Sequence, residues 1–135
     1  MTKEGYTSNE RIKEESDFLR GNISDLLHDD SITHFPSEEE FLLKFHGITQ
    51  QDNRDERLIR KKNGQERNWL FMLRLRLPGG RMTPSQWLAA ETLSDQFGNG
   101  TLKLTTRQAI QIHGVVKQDL KQTMKDIHHA AITTI

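Results

Sequence analysis

Nine residues, Trp69 to Leu77, are the best strand candidate in the chain. Trp69, Phe71, Leu73, Leu75 and Leu77 share one face, and Met72, Arg74 and Arg76 share the other. Two arginines two residues apart on one side of a strand sit about 7 Å apart. Pro78-Gly79-Gly80 then breaks the strand. Thr83-Pro84-Ser85-Gln86 follows, an N-cap with proline at the first helical position and glutamine at the third. The helix carries Trp87, Ala90, Leu93 and Phe97 at helical spacing, and Gly98-Asn99-Gly100 stops it.

The next stretch, Gly100 to Val116, again has a strand period. Leu102 and Leu104 point one way, with Lys103, Thr105 and, if the chain stays extended, Arg107 pointing the other. Ile110 and Ile112 share one face, while Gln111 and His113 share the opposite one. No Asp or Glu occurs from Gly100 to Lys117. Arg, Lys and protonated His can only donate hydrogen bonds, so such a face suits an anionic ligand. Gln118 to Ile132 reads as a second helix, with Leu120, Met124, Ile127 and Ala131 as its stripe.

The order from Trp69 is therefore β-α-β-β-α. The predicted fold class is α+β: a ferredoxin-like half-domain over 68–135, incomplete at its C-terminus, preceded by an extended, partly helical arm over 1–67. Both helices cover the apolar face of one sheet. The other face then displays Arg74, Arg76, Lys103, Thr105, Arg107, Gln111 and His113. A wet sheet face is the plain alternative, but fixed cations without an interleaved acid repel one another unless an anion binds.

The arm is harder to place. Ser8 or Asn9 is expected to cap a helix running to about Arg20, with Gly21 as its stop. Asn22 to Phe35 reads as irregular with one helical turn. Ser37 with Glu40 resembles a capping box, and the following FLLKF fits helix or strand equally. His46 to Arg67 is almost entirely polar. It reads as a solvated loop, or as an arm laid over a ligand or a second subunit through Gln50, Gln51, Arg54 and Arg57.

Composition bounds the function. Lys+Arg and Asp+Glu both number 19, which gives no electrostatic reason to expect nucleic acid or an anionic membrane. The hydrophobic share is 33%, below the roughly 45–50% usual in globular domains, so either part of the chain is expected to be extended arm or its burial partner lies elsewhere. There is no cysteine, hence no disulfide, thiolate nucleophile or cysteine-ligated metal within the chain. The first sixteen residues carry no apolar core of a signal peptide, and no apolar run is long enough to span a bilayer. A cytoplasmic protein is the expectation. His28, His34, His128 and His129 show no metal spacing. His113 is expected to bond a carboxylate rather than ligate iron. Trp87, Leu93, Phe97 and Met124 are assigned to the core.

MLRLRLPGG, GTLKLTTRQAIQIHG, ERIKEESDFLRG and FHGITQQDNRDER, in the chain's own arrangement and spacing, resemble the N-terminal part of the assimilatory, NADPH-dependent sulfite reductase hemoproteins. These beta components belong to the siroheme sulfite and nitrite reductase family. The resemblance covers Ser8 to Ile135. It implies siroheme coupled to a 4Fe–4S cluster, sulfite as substrate reduced to sulfide in sulfate assimilation and cysteine biosynthesis, and an NADPH-oxidising flavoprotein (alpha) partner. Arg74 matches the family arginine that points at bound sulfite. Lys103, Thr105, Arg107, Gln111 and His113 match the block that contacts the siroheme carboxylates, with Arg76 beside them. The arm from His46 to Arg57 resembles the family segment that folds back over the cofactor, and Thr49 stands where the family usually has an aromatic. The cluster's cysteines lie in a later part of the family chain. This chain alone is therefore expected neither to hold the cluster nor to reduce sulfite. A ferredoxin-dependent sulfite or nitrite reductase is the alternative within the family. The alternative outside it is a non-enzymatic, ferredoxin-like polyanion-binding module. Such a module, if it took RNA, would need exposed aromatics on the polar sheet face, and that face has none.

Overall fold

The strand that the alternation predicts is the one on which the sheet is built. In the computed structural model, which describes residues 5–130 and 132–134, β2 (Trp69–Arg76) is central. On one side it pairs antiparallel with β4 (Ile110–Val115), and β4 pairs with the edge strand β3 (Leu102–Leu104). On its other side it pairs with β1 (Ile48–Asp52) and, further along, with β5 (Thr133–Thr134). The predicted β-α-β-β-α order is present as β2, α5 (Pro84–Phe97), β3, β4 and α6 (Leu120–His129). The predicted absence of a last strand is corrected: Thr133 and Thr134 pair with Arg76 and Leu75.

One face of the sheet is the core. Phe71, Leu73, Leu75, Ile110 and Ile112 are all 0% exposed, packed with Ala90 and Leu93 of α5 and Leu120 and Ile127 of α6. Each such side chain contributes about 1.5–3 kcal/mol of burial. In α5 the predicted cap forms: Thr83 Oγ1 accepts from Gln86 N at 3.2 Å and Gln86 Oε1 accepts from Thr83 N at 2.9 Å. The predicted stripe shifts. Ser94 takes a buried position by donating its hydroxyl to Thr101 O at 2.8 Å, while Trp87 is 41% exposed and so is not core. Leu104, on the short edge strand, is likewise open to solvent. In α6 Leu120, Thr123 and Ile127 are buried and Met124 half-buried. Ala131, the last predicted stripe position, lies outside the described residues, as do 1–4 and 135.

The arm holds more order than its composition suggests. The helix α1 (Ser8–Glu15) is capped by Thr7 rather than Ser8 or Asn9. It stops well short of Arg20, because the Ser16 hydroxyl donates to Lys13 O and accepts from Leu19 N, and Asp17, Phe18 and Leu19 turn left-handed. The expected helical turn is α2 (Ile23–His28). The ambiguous FLLKF belongs to α3 (Ser37–Leu43) and a 3-10 turn, Lys44–His46. The capping box expected at Ser37 is absent: Pro36 is the N-cap, with no side-chain bond.

The polar stretch His46–Arg67 is not a solvated loop. It forms β1 and the helix α4 (Arg54–Lys62). Only Ile48 of β1 is apolar, so composition hid the strand. Its core-facing Gln50 is satisfied instead of excluded: Oε1 accepts from Phe35 N at 2.7 Å, and Nε2 donates to Phe35 O at 3.2 Å. Asn53 Oδ1 caps α4 by accepting from Asp55 N at 3.1 Å. The arm and the half-domain are also joined through Lys117, 1% exposed, whose Nζ donates to Asp29 O at 2.6 Å.

Candidate basic face of the sheet

Opposite the core, the sheet presents the residues that the alternation left over. Arg74 on β2 stands across from Gln111 on β4, and Gln111 across from Lys103 on β3. These three form one cross-strand rung. Neighbouring strands are about 4.8 Å apart, which puts the backbones of Arg74 and Lys103 about 10 Å from each other. That is close to one Debye length at 0.1 M salt. Their mutual repulsion is therefore moderated, while an anion lying between them is attracted by both.

His113 follows Gln111 on β4, and its Nε2 lies 3.1 Å from Gln111 Oε1. Here β4 carries an extra residue: Phe71 pairs with Val115 but Leu73 pairs with Ile112. Gly114, at φ +83°, accommodates this bulge. Asn99 N donates to His113 O at 2.8 Å, fixing it from behind. Burial, and secondarily the Lys103 charge, hold the His113 imidazole below its ordinary pKa.

Three predicted site residues sit apart from this rung. The chain does not stay extended through Arg107. It turns over 105–109, with Gln108 at φ +56° and Thr105 N donating to Ala109 O at 2.9 Å. Arg107 is thus at an exposed turn, and Thr105 Oγ1 is committed to Ala109 N at 3.2 Å. Arg76 is exposed at the end of β2. A Cβ on Gly80, four residues after Arg76, would sit 2.9 Å from Gln108 Oε1, so the two turns lie side by side. Arg76 and Arg107 therefore occupy the same end of the sheet.

The arm completes the face, as the alternative reading of 46–67 allowed. A cleft of about 580 Å³ is lined by Gln50, Gln51, Asp52, Arg54, Arg57, Lys103 and His113. Arg57 is not free for a ligand: its Nε donates to Asp52 Oδ2 at 2.6 Å, and a second bond joins its Nη2 to Oδ1. The Arg57 hydrogen bonds hold the Asp52 carboxyl below its ordinary range. All four arm residues suggested by sequence line the cleft, but Gln50 and Arg57 are held by bonds within the chain, to the Phe35 backbone and to Asp52. A smaller cleft of about 240 Å³ beside Arg74 is lined by Lys44, Gly47, Thr49 and Met72. Lys44 was invisible in sequence because FLLKF had no assigned conformation.

Two observations show what this face can hold. Among the described residues, Arg54, Arg74, Arg76, Lys103 and Arg107 make no ion pair. Arg74 Nε is buried with no hydrogen-bond partner, an omission that costs about 1–3 kcal/mol until an acceptor arrives. A carboxylate-rimmed tetrapyrrole or a small oxyanion supplies acceptors of that kind, so the donor set fits siroheme. An iron–sulfur cluster does not fit, since the chain has no cysteine and no group of three or more His, Asp or Glu among the described residues can hold a metal ion.

Comparison with known proteins agrees with the fold and extends it. The family model described as the nitrite/sulfite reductase ferredoxin-like half domain matches residues 63–130, from just before β2 through α6. The chain is 54% identical over 128 residues to the NADPH sulfite reductase subunit beta of Saccharomyces cerevisiae, covering 95% of this chain and 9% of that protein. It is 48% identical over 126 residues to the NADPH sulfite reductase hemoprotein beta-component of Bacillus subtilis, covering 93% of this chain and 22% of that one. The chain thus spans only a small part of the relatives it matches. Among solved structures, the NirA protein of Mycobacterium tuberculosis superposes with a TM-score of 0.72 at 15% identity, covering 94% of this chain and 24% of NirA. A central strand with one apolar and one basic face, two helices over the apolar side and a family match spanning half the sequence lead to one assignment: the chain belongs to the nitrite/sulfite reductase family, with its ferredoxin-like half domain over residues 63–130.

Proposed function

We propose that this chain is the part of a cytoplasmic, siroheme-dependent assimilatory sulfite reductase that supplies one basic wall of the cofactor and substrate site. The observation that carries the proposal is the rung of Arg74, Gln111 and Lys103, whose cations are unpaired and whose Arg74 Nε lacks an acceptor. Similarity to sulfite reductase beta components over more than nine-tenths of the chain supports the same reading.

In this role Lys103, Gln111 and His113 hold rim carboxylates of siroheme, and Arg76, Thr105 and Arg107 serve the end of the sheet where the two turns meet. When bound, siroheme supplies the iron at which electrons reach the substrate. Arg74 would hold sulfite as an anion and stabilise the negative charge on its oxygens, the work of a fixed donor. The electrons come from a flavoprotein partner that oxidises NADPH, and the iron–sulfur cluster is held by residues outside this chain.

Replacing Arg74 with alanine in the complete protein tests the assignment. Sulfite turnover is expected to fall about 10²- to 10³-fold, the scale for removing one charge-stabilising donor, with siroheme absorbance of the purified protein retained. Loss of siroheme together with activity would assign Arg74 to the cofactor instead of the substrate.

A further inference from the structure

We infer that the cleft between α2 and α6, on the helix side of the sheet, binds an apolar chain ending in one carboxylate, of the kind a medium-chain fatty acid presents. The site is across the sheet from Arg74, so it is independent of the role proposed for the basic face.

Core residues make the floor of the cleft. Leu43 and Leu120 are 0% exposed and Ile48 is 4% exposed, and all three belong to the packed cluster. Ile23 and Leu27 of α2 and Met124 of α6 pack against that cluster yet stay only half-buried, and they form the walls. The arm supplies the remaining side. His46 Nε2 donates to Leu19 O at 2.8 Å, and Leu19 ends a run of three left-handed residues, Asp17, Phe18 and Leu19, at φ +48°, +59° and +66°. Such a run is sterically costly for residues with a Cβ, and it delivers Arg20 to the edge of the cleft. The volume is about 400 Å³, within the roughly 300–1,000 Å³ of small-molecule sites.

The charge of the rim says what occupies this apolar space. Its ionisable residues are Arg20, His28, His46 and Lys121, and no carboxylate lines the cleft. Lys121 Nζ lies 2.7 Å from His28 Nε2, and His28 Nδ1 lies 2.6 Å from Ser24 O. An ammonium only donates and a carbonyl only accepts, so His28 is the neutral tautomer with its proton on Nδ1. One N–H of Lys121 is thereby placed on His28, and the ammonium has two more to offer a ligand. Lys121 makes no ion pair among the described residues, and Arg20 reaches Asp17 only loosely, at 3.9 Å. An apolar interior under a cationic rim is complementary to an apolar anion. One cleft of this size receives a single chain. A docked helix instead presents a row of anchors along several turns.

The experiment titrates sodium decanoate, below its micellar concentration, into the full-length, siroheme-loaded protein and follows binding by calorimetry. Saturable one-to-one binding is expected. Octanoate should bind roughly fifteenfold more weakly, at about fourfold for each buried methylene. The uncharged 1-decanol should bind about tenfold or more weakly than decanoate, the scale of a charged hydrogen bond. Lys121→Gln should bring decanoate down towards the level of decanol and leave decanol as it was. Lys125→Gln, at an exposed position of α6 outside the cleft, is the charge control and should change neither. Methyl-labelled methionine locates the ligand: decanoate should shift the Met124 signal and leave that of Met72, on the basic face, in place. Absence of saturable binding overturns the site. So does decanoate binding that is indifferent to Lys121→Gln or equal to that of decanol, because apolar adsorption needs no cation. A shift at Met72 in place of Met124 puts the ligand on the basic face and overturns the site as well. The role of the basic face is tested separately, by the turnover of Arg74→Ala.

Discussion

Leu73 and Arg74 are neighbours on one strand, yet they belong to two different economies of interaction. Leu73 is 0% exposed among aliphatic side chains from both covering helices. Arg74 has a buried nitrogen without a partner and a cleft beside it. On β2, Phe71, Leu73 and Leu75 hold the fold together, whereas Arg74 between them keeps a nitrogen unsatisfied within the chain. The difference teaches that the basic face is maintained against its own stability, which is the pattern expected where a ligand completes the structure. Leu73→Ala is the change that most sharply separates the two faces. It should destabilise the protein by about 2–5 kcal/mol, the cost of an emptied aliphatic site in a packed core, measured by denaturant unfolding. Arg74→Ala should leave unfolding nearly unchanged or slightly favourable without ligand, while reducing turnover. A destabilisation by Arg74→Ala as large as that of Leu73→Ala would break the comparison.

The two faces meet at the bulge of β4, and one glycine behind it is a second place to test them. A Cβ at Gly98 would stand 2.7 Å from His113 O and 2.9 Å from Ile112 Cγ2. The first of these is backbone, which cannot rotate away. Gly98→Ala should therefore cost about 1–3 kcal/mol, as overpacking does. It should also displace His113, visible as a changed imidazole chemical shift. An unfolding midpoint equal to that of the parent protein would show that the end of α5 can withdraw from β4 at no cost.

The core face was legible in the sequence because burial there follows period. WLFMLRLRL gave β2 and its sidedness directly, and Thr83-Pro84-Ser85-Gln86 gave the start of α5 through a cap whose two bonds form. The basic rung was legible for the same reason, as the residues left when the apolar set is removed. Three parts were not. β1 has Gln50 where a strand pattern wants an apolar residue, and the amide is tolerated only because Phe35's backbone, fifteen residues earlier, meets it. Arg107 left the face because a left-handed Gln108 turns the chain, and glutamine does not advertise that conformation. The helix over 8–20 was cut short by Ser16, whose side chain competes for backbone bonds in a way no periodicity records. Period is local and could be read from sequence; partners supplied from elsewhere in the chain could not.

The cations of the two regions also differ, and that contrast gives the smallest predicted effect. In the N-terminal helices Arg11, Arg57 and Arg60 are each paired with carboxylates, whereas Lys103 on the open face is not. The charged groups converging on His113 are Lys103 from β3, Asp52 from β1, and Arg54 and Arg57 from α4, with Gln111 beside it on β4. Burial first, and Lys103 second, hold the imidazole below its ordinary value of 6.5. The unfolded chain then binds that proton more readily than the folded one. Stability is accordingly full above about pH 6.5 and declines as the pH falls below it towards the lowered folded-state pKa. Lys103→Gln removes only the smaller cause, so the His113 pKa should rise part of the way back, measured by NMR titration of the imidazole. The acid-side loss of stability should shrink in step. Sulfate or another oxyanion added to the parent protein should raise the same pKa by offsetting the Lys103 charge. If Lys103→Gln leaves the titration of His113 unmoved, the two residues do not share one electrostatic field, and the basic face is a row of separate charges instead of a single site.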